Sequence, residues 1–412
     1  MGETSKGKSH PAISGGNGFA EGESGFEKKD SNRQTKEPLC GKQERNKTQV
    51  TENTRENENI ERLVDASTLS GMAQLSFDAG QLRRGAPSRS SIGDFVVELG
   101  RADTDPDDVR RLIISSTDGF SLELLPTKGL SVGFFNTPNG QVFWNIPVTS
   151  LVSPEKIDLL GDMIIEGQRV KATRWLENFA GCIELLGLSN WGMPHRPQDC
   201  PIILPLHGEA SQIPVEDCTI RANKSVLVAR STFVIRDHWW VSCDRDTPWY
   251  LRGPAKWSVT RHVVLDKGRQ ALQVLDVIKN LGDVPAVPDW GYHIQLRAEV
   301  GSRLSIPSRS RIDRLKGPVP EDFELWRPSP EPGKRFEQGY IHSGCVEVMN
   351  PFGQQAIRGS AIYERGPNTL FILPRSPYLQ SWFSCGGAGG FVFNHPDRPN
   401  EPFMIRGWDG MG

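Results

Sequence analysis

Apolar and β-branched residues recur along this chain in short runs, not at helical spacing. "RRLIISSTDGFSLELLP" (Arg110 to Pro126) places two strand-like runs on either side of Asp118-Gly119, a dipeptide that favours the tight turn of a hairpin. "VLVARSTFVIRD" (Val226 to Asp237) is β-branched and partly alternating. "KWSVTRHVVLDKGRQALQVLDVIKNLG" (Lys256 to Gly282) predicts two more strands around "DKGR", and "LFILP" and "GGFVFNHP" predict late short ones. The 30 prolines and 42 glycines interrupt any long helix. Many short strands with frequent turns predict an all-β sandwich or barrel. No repeat of fixed period appears, so a propeller has no support.

The pattern fades toward the N-terminus. Composition shifts near residues 60–75, before which Lys, Glu, Asn, Ser, Thr and Gly dominate. Such a segment buries too little apolar surface to offset its ordering entropy, so residues 1–72 are expected to be a disordered extension and 73–412 one β domain. Met72 stands just before the pattern begins, and one reading takes it as the true start. The first ten residues, "MGETSKGKSH", have no apolar core and do not read as a secretory signal. Lys6 breaks the myristoylation pattern.

Charge and cysteine content narrow the function classes. The net charge is -2, and basic residues are not clustered with aromatics, which argues against nucleic acid as a partner. No stretch approaches the roughly 18–20 apolar residues of a membrane span. Seven cysteines are scattered and form no CxxC, which fits reduced thiols and a cytoplasmic location. There is no HExxH and no paired CxxC, so no metal site is expected. A Walker loop and a GxSxG elbow are also missing. "CGGAGG" (Cys385 to Gly390) lies between two strand-like runs and reads as a hairpin turn, not a phosphate loop.

"LPLHGEASQIP" (Leu204 to Pro214) sets His207 between apolar residues and a glycine. That imidazole is a packed structural group, a metal ligand, or a substrate contact. "LQVLDVIKNLGDVPAVPDWGYHIQL" (Leu272 to Leu296) is more informative. It resembles the aldose 1-epimerase (galactose mutarotase-like) superfamily pattern of a strand, Asn-Xaa-Gly-Asp, prolines and Gly-Tyr-His, here Asn280, Gly282, Asp283, Pro285 and Gly291-Tyr292-His293. "LPLHGEASQIP" is similar to the same superfamily's Leu-His-Gly segment. "LELLPTKGLSVG" (Leu122 to Gly133), "ENFAGCIELLGLSNWGMP" (Glu177 to Pro194) and "SPYLQSWFSCGGAGGFVFNHP" (Ser376 to Pro396) resemble its DUF4432-type branch, in the same order.

The resemblance implies a β-supersandwich and a sugar as small-molecule partner. It also implies an isomerase that interconverts anomers, in carbohydrate metabolism, with no cofactor. His293 is the implied acid, and His207, Asn190, Trp382 and Lys128 are the implied sugar contacts. Non-catalytic alternatives stand beside each: a strand-end or packed histidine, a turn-shaping asparagine, a core tryptophan, a lysine on a solvated turn. An imidazole near its ordinary pKa of ~6.5 is partly protonated near neutrality.

Departures bear on catalysis. Lys128 stands where the family has Arg, Ser131 where it has Asp, and Ser189 replaces an Asp. The family's general base, a Glu before Pro, falls on His395 in one placement and on Phe391 in another. His395 is then either an imidazole base or a loop residue, with Glu177, Glu184, Glu209 and Asp289 as alternative carboxylates. Two function classes follow: an isomerase, or a carbohydrate-binding or sensing protein that has lost its base. A sugar lyase or hydrolase rests on fold analogy alone.

Overall fold

The computed structural model describes residues 66–144, 148, 150–165, 167–196, 202–242, 251–283, 286–305 and shorter segments beyond. Side chains are described for most of these to residue 236, from 256 to 305, and at scattered positions to 371. The expectations for residues 1–65 and for the "CGGAGG" turn lie outside the described residues.

Strands are numbered along the chain. The first nine are β1 Ala73–Asp78, β2 Ser88–Ile92, β3 Phe95–Gly100, β4 Arg111–Ser116, β5 Ser121–Leu125, β6 Ser131–Thr137, β7 Gly140–Gln141, β8 Met163–Ile165 and β9 Gln168–Val170. The next seven are β10 Ile183–Leu186, β11 Asp217–Ala222, β12 Val226–Ser242, β13 Leu251–Asp266, β14 Ala271–Asn280, β15 Ala286–Val287 and β16 Gly291–Ile294.

Two large antiparallel sheets dominate. One runs β1-β11-β12-β13-β14, with β15 on β12. The other runs β16-β10-β6-β5-β4-β3-β2, with β7 on β6. The hairpin expected at Asp118-Gly119 is β4–β5, with Gly119 at φ +93°. The pair expected around "DKGR" is β13–β14, closing at Asp266 and Ala271. The late runs are strands Asn368–Ile372 and Val392–His395.

Alternation explains the layering. β3 reads buried-intermediate along its whole length, so Phe95, Val97 and Leu99 point one way. β11 does the same with Cys218, Ile220 and Ala222. One buried cluster takes Phe95, Leu112, Leu122 and Val132 from one sheet and Phe77, Ile220, Phe233 and Val263 from the other. The sheets therefore pack face to face, and the all-β supersandwich expected from the resemblance is the fold observed. Asp276 joins the layers: it accepts from Arg261 Nε and Nη2 at 2.8 Å each and from Tyr292 Oη at 2.6 Å.

The outer face of the first sheet is also covered. Val226, Val228 and Val264 form a small buried cluster with Leu69 and Met72 packed on it. Asn223 Nδ2 donates to Thr68 O at 3.3 Å. Residues 68–72, the last of the expected extension, thus contact the sheet.

Candidate functional site

His293 and His207 meet although 86 positions separate them in the chain. β16 pairs with β10 at the end of its sheet, in the register Glu184↔His293. Residues paired across antiparallel strands share a face, so His293 rises beside Glu184. His207 sits on a loop laced to the one after β10. Gly187 N donates to His207 O, and His207 N donates to Gly192 O, each at 3.0 Å. His207 itself is left-handed, at φ +57°. This is a conformation that a non-glycine residue adopts only when its surroundings over-determine it.

The two imidazole centroids lie 5.1 Å apart. Trp175 packs on both, at 4.7 Å from His207 and 5.9 Å from His293. Phe179 lies 5.2 Å from His293. Trp175 Nε1 donates to Ser211 Oγ at 2.9 Å, which fixes the indole.

Hydrogen bonding sets the His207 tautomer. Nδ1 lies 2.8 Å from Trp191 O, a group that only accepts, so Nδ1 carries the proton. The Nε2 lone pair is left to accept. Burial pushes the His207 pKa down to about 4, against a smaller upward pull from the Trp191 carbonyl. Burial, then the neighbouring His207, hold His293 well below the ordinary imidazole range. Both rings are therefore neutral at pH 7. The expectation of partial protonation near neutrality is corrected, because desolvation disfavours the cation.

Lys128 is not on a solvated turn. It closes the 3-10 turn Pro126–Lys128 before Gly129, which is at φ +58°, and its side chain is fully buried. Its Nζ lies 3.5 Å from Glu184 Oε1, donates to Ser211 O at 3.2 Å, and stands 5.8 Å from the Trp175 ring centroid. Burial lowers its pKa and Glu184 opposes that shift. The ammonium thus sits behind the aromatic wall, supporting Trp175 and Glu184 instead of meeting solvent.

Asn190 spends its amide on the loop. Nδ2 donates to Pro205 O at 2.7 Å, Met193 O at 3.1 Å and Gly192 O at 3.2 Å, while Oδ1 accepts from Gly192 N at 3.2 Å. Its geometry is that of a brace under His207, the turn-shaping alternative. Trp382 lies in strand Ser381–Ser384 opposite Ile341, and His395 in strand Val392–His395, which pairs with β8. Their side chains lie outside the described residues.

The alternative carboxylates are differently engaged. Glu177 is bidentate with Arg174, at 2.6 and 3.0 Å. Glu209 accepts from Leu188 N at 3.1 Å, Ser189 N at 3.2 Å and the Ser189 hydroxyl. Glu184 accepts from Gly181 N and holds Lys128. Asp289, with its pKa raised by burial, accepts from Trp191 N at 3.3 Å. Among the described residues no group of three or more His, Cys, Asp or Glu side chains could hold a metal ion, and no helix is long and apolar enough to cross a membrane.

Trp175, Phe179 and Gln295 belong to the site without having been singled out in the sequence. Gln295 had a signal: two residues after His293 in extended chain, it shares that face. Phe179 lies inside the Glu177–Pro194 segment already quoted, whereas Trp175 had only its place just ahead of it.

Two solved structures are similar to this chain. One, described as a "putative aldose 1-epimerase" from Klebsiella pneumoniae subsp. pneumoniae MGH 78578, is 18% identical, with 76% of this chain and 78% of that chain covered and a TM-score of 0.48. The other, a galactose mutarotase-like protein from Clostridium acetobutylicum, is 11% identical, with 74% and 85% covered and a TM-score of 0.40. No curated protein matches the chain. Residues 107–238 match the family model described as a domain of unknown function, DUF4432, so the resemblance read from the motifs holds over that stretch, which carries Lys128, Asn190 and His207.

Proposed function

We propose that this protein binds a monosaccharide at the His207–His293 pair and interconverts its anomers. The observation that carries the reading is two imidazoles with centroids 5.1 Å apart against one aromatic wall. Mutarotation needs a proton taken from the anomeric hydroxyl and one given to the ring oxygen. Both oxygens are bonded to the same carbon, so two adjacent imidazoles suit the two transfers. His207, with its proton on Nδ1 and its Nε2 lone pair free to accept, fits the acceptor role. His293 is the donor that the resemblance implies, and being neutral it must first take up a proton. Each positioned acid or base typically contributes ~10²–10⁴-fold. Asn190 and Lys128 act in this reading by bracing the loop and the wall. Trp382 is kept as a sugar-stacking candidate and His395 as a second acceptor. Two buried free thiols, Cys182 and Cys218, fit a reducing cytoplasm.

A second reading is recognition without catalysis. It is favoured by His293 being neutral, since a neutral imidazole is a weaker acid than its cation. The test is anomer exchange by NMR across a panel of aldoses and ketoses. We expect wild-type exchange above the buffer blank and a loss of ~10²-fold or more in His293→Ala. Sugars that bind without exchanging would favour recognition. Exchange lost in His395→Ala but kept in His207→Ala would move the acceptor role to His395.

A further inference from the structure

Gln295 follows β16 and is fully buried on the same face as His293. Its backbone is fixed on both sides: its N donates to Cys182 O at 2.8 Å, and its O accepts from Trp144 N at 3.3 Å. Its amide nitrogen contacts His293 Nδ1 and lies 3.1 Å from Nε2. Its amide oxygen is buried and has no hydrogen-bond partner among the described residues. An orphaned buried carbonyl is costly, and a side chain that merely packed could be apolar at no such cost.

Among the described residues, no other hydrogen bond to the His293 ring is seen. Trp175 and Phe179 offer ring edges and faces. His207 is the nearest titratable group. Glu184, opposite on β10, is turned to Gly181 N and Lys128.

We propose that Gln295 is the positioning residue of His293, an amide that turns to match the ring's protonation state. With the ring nitrogen bare, the amide N–H donates to it. With that nitrogen protonated, a half-turn about the terminal torsion brings the orphaned oxygen to accept from it. Such terminal torsions are broad and roughly two-fold, so the turn needs no backbone movement. Either proton state of the buried His293 then has a partner. The inference rests on the proposed function only for its purpose, since the coupling of amide to ring exists whether or not a sugar reacts.

The test separates the two. Long-range ¹H–¹⁵N spectra of the full chain report imidazole tautomer and protonation, with His293 assigned through His293→Ala. Gln295→Glu sets a carboxylate against the ring, and its His293 titration midpoint should rise by about 1–2 units. Gln295→Met keeps the volume without the amide, and should lose the wild-type tautomer preference while the His207 resonances stay in place. Each variant is sufficient alone should the other fail to fold. Unchanged His293 tautomer and midpoint in either folded variant overturns the proposal. Anomer exchange is measured on the same samples. Absent exchange in wild type with shifted His293 spectra would sink the isomerase reading and leave the Gln295 assignment standing. Where wild type does exchange sugars, Gln295→Glu should also shift the acid limb of the rate profile upward.

Discussion

Gly208 shows how tightly single residues are constrained around His207. It sits at φ +65°, and a Cβ there would meet Asn190 O and Gly187 O at 2.7 Å. Backbone oxygens cannot step aside as a side-chain tip can. Gly208→Ala should therefore lower stability by at least ~1–3 kcal/mol and displace the His207 ring. Urea denaturation together with the His207 NMR signals would show it, and a wild-type midpoint would refute the account. At this scale the sequence was legible wherever a motif named a residue type. The motifs named His207 and His293, and the structure brings the two rings together. The uses of Asn190 and Lys128 were not, because burial and partner choice come from segments far along the chain. Ser189 is instructive: its hydroxyl bonds Glu209, so the family's Asp at this position would set two carboxylates face to face. That departure is explained by its partner twenty positions away, which no local pattern contains.

Between elements, the contact of Lys128 on its 3-10 turn with Glu184 on β10 ties two parts of the second sheet together. Both side chains are fully buried. Removing one partner strands the other charge, which typically costs about 3–5 kcal/mol. Lys128→Met and Glu184→Gln should each destabilise strongly, while the double variant should be far closer to wild type than the sum. Additive losses in a double-mutant cycle would mean that the two do not act as a pair. Strands were the most legible level. Period-two alternation and turn dipeptides marked β4–β5 and β13–β14, because those signals are local. β10 and β16 were marked only through motif resemblance, since each is four residues long and they pair across more than a hundred positions.

Acid should weaken the molecule as a whole. His262 is buried on β13 with neither ring nitrogen hydrogen-bonded among the described residues, and burial, then Arg230, push its pKa down to about 4. His207 is also pushed down to about 4, by burial. Unfolded, each titrates near ~6.5. The folded state therefore binds fewer protons, and the stability from these groups is complete above that pH. It is lost as pH falls from about 6.5 toward 4. Urea midpoints should drop over that window, and His262→Met should make the slope shallower. An equal slope in wild type and variant would exclude His262 as a contributor. The sandwich was legible from strand density and turn frequency, whereas the strand order was not, because it depends on which faces are complementary.

The Asp276 junction has a consequence for when the site comes into being. Arg261 and Asp276 lie in one layer and Tyr292, next to His293, in the other. Lys128, Trp175, Glu184, His207 and Gln295 complete the surroundings from widely separated stretches. Contacts of such long sequence separation form only after the loops between them have closed, which makes them slow. A chain emerging from the ribosome holds His207 well before it holds the partner ring. The imidazole pair can then assemble only once β16 has paired with β10, so the appearance of the pair marks the closing of that sheet.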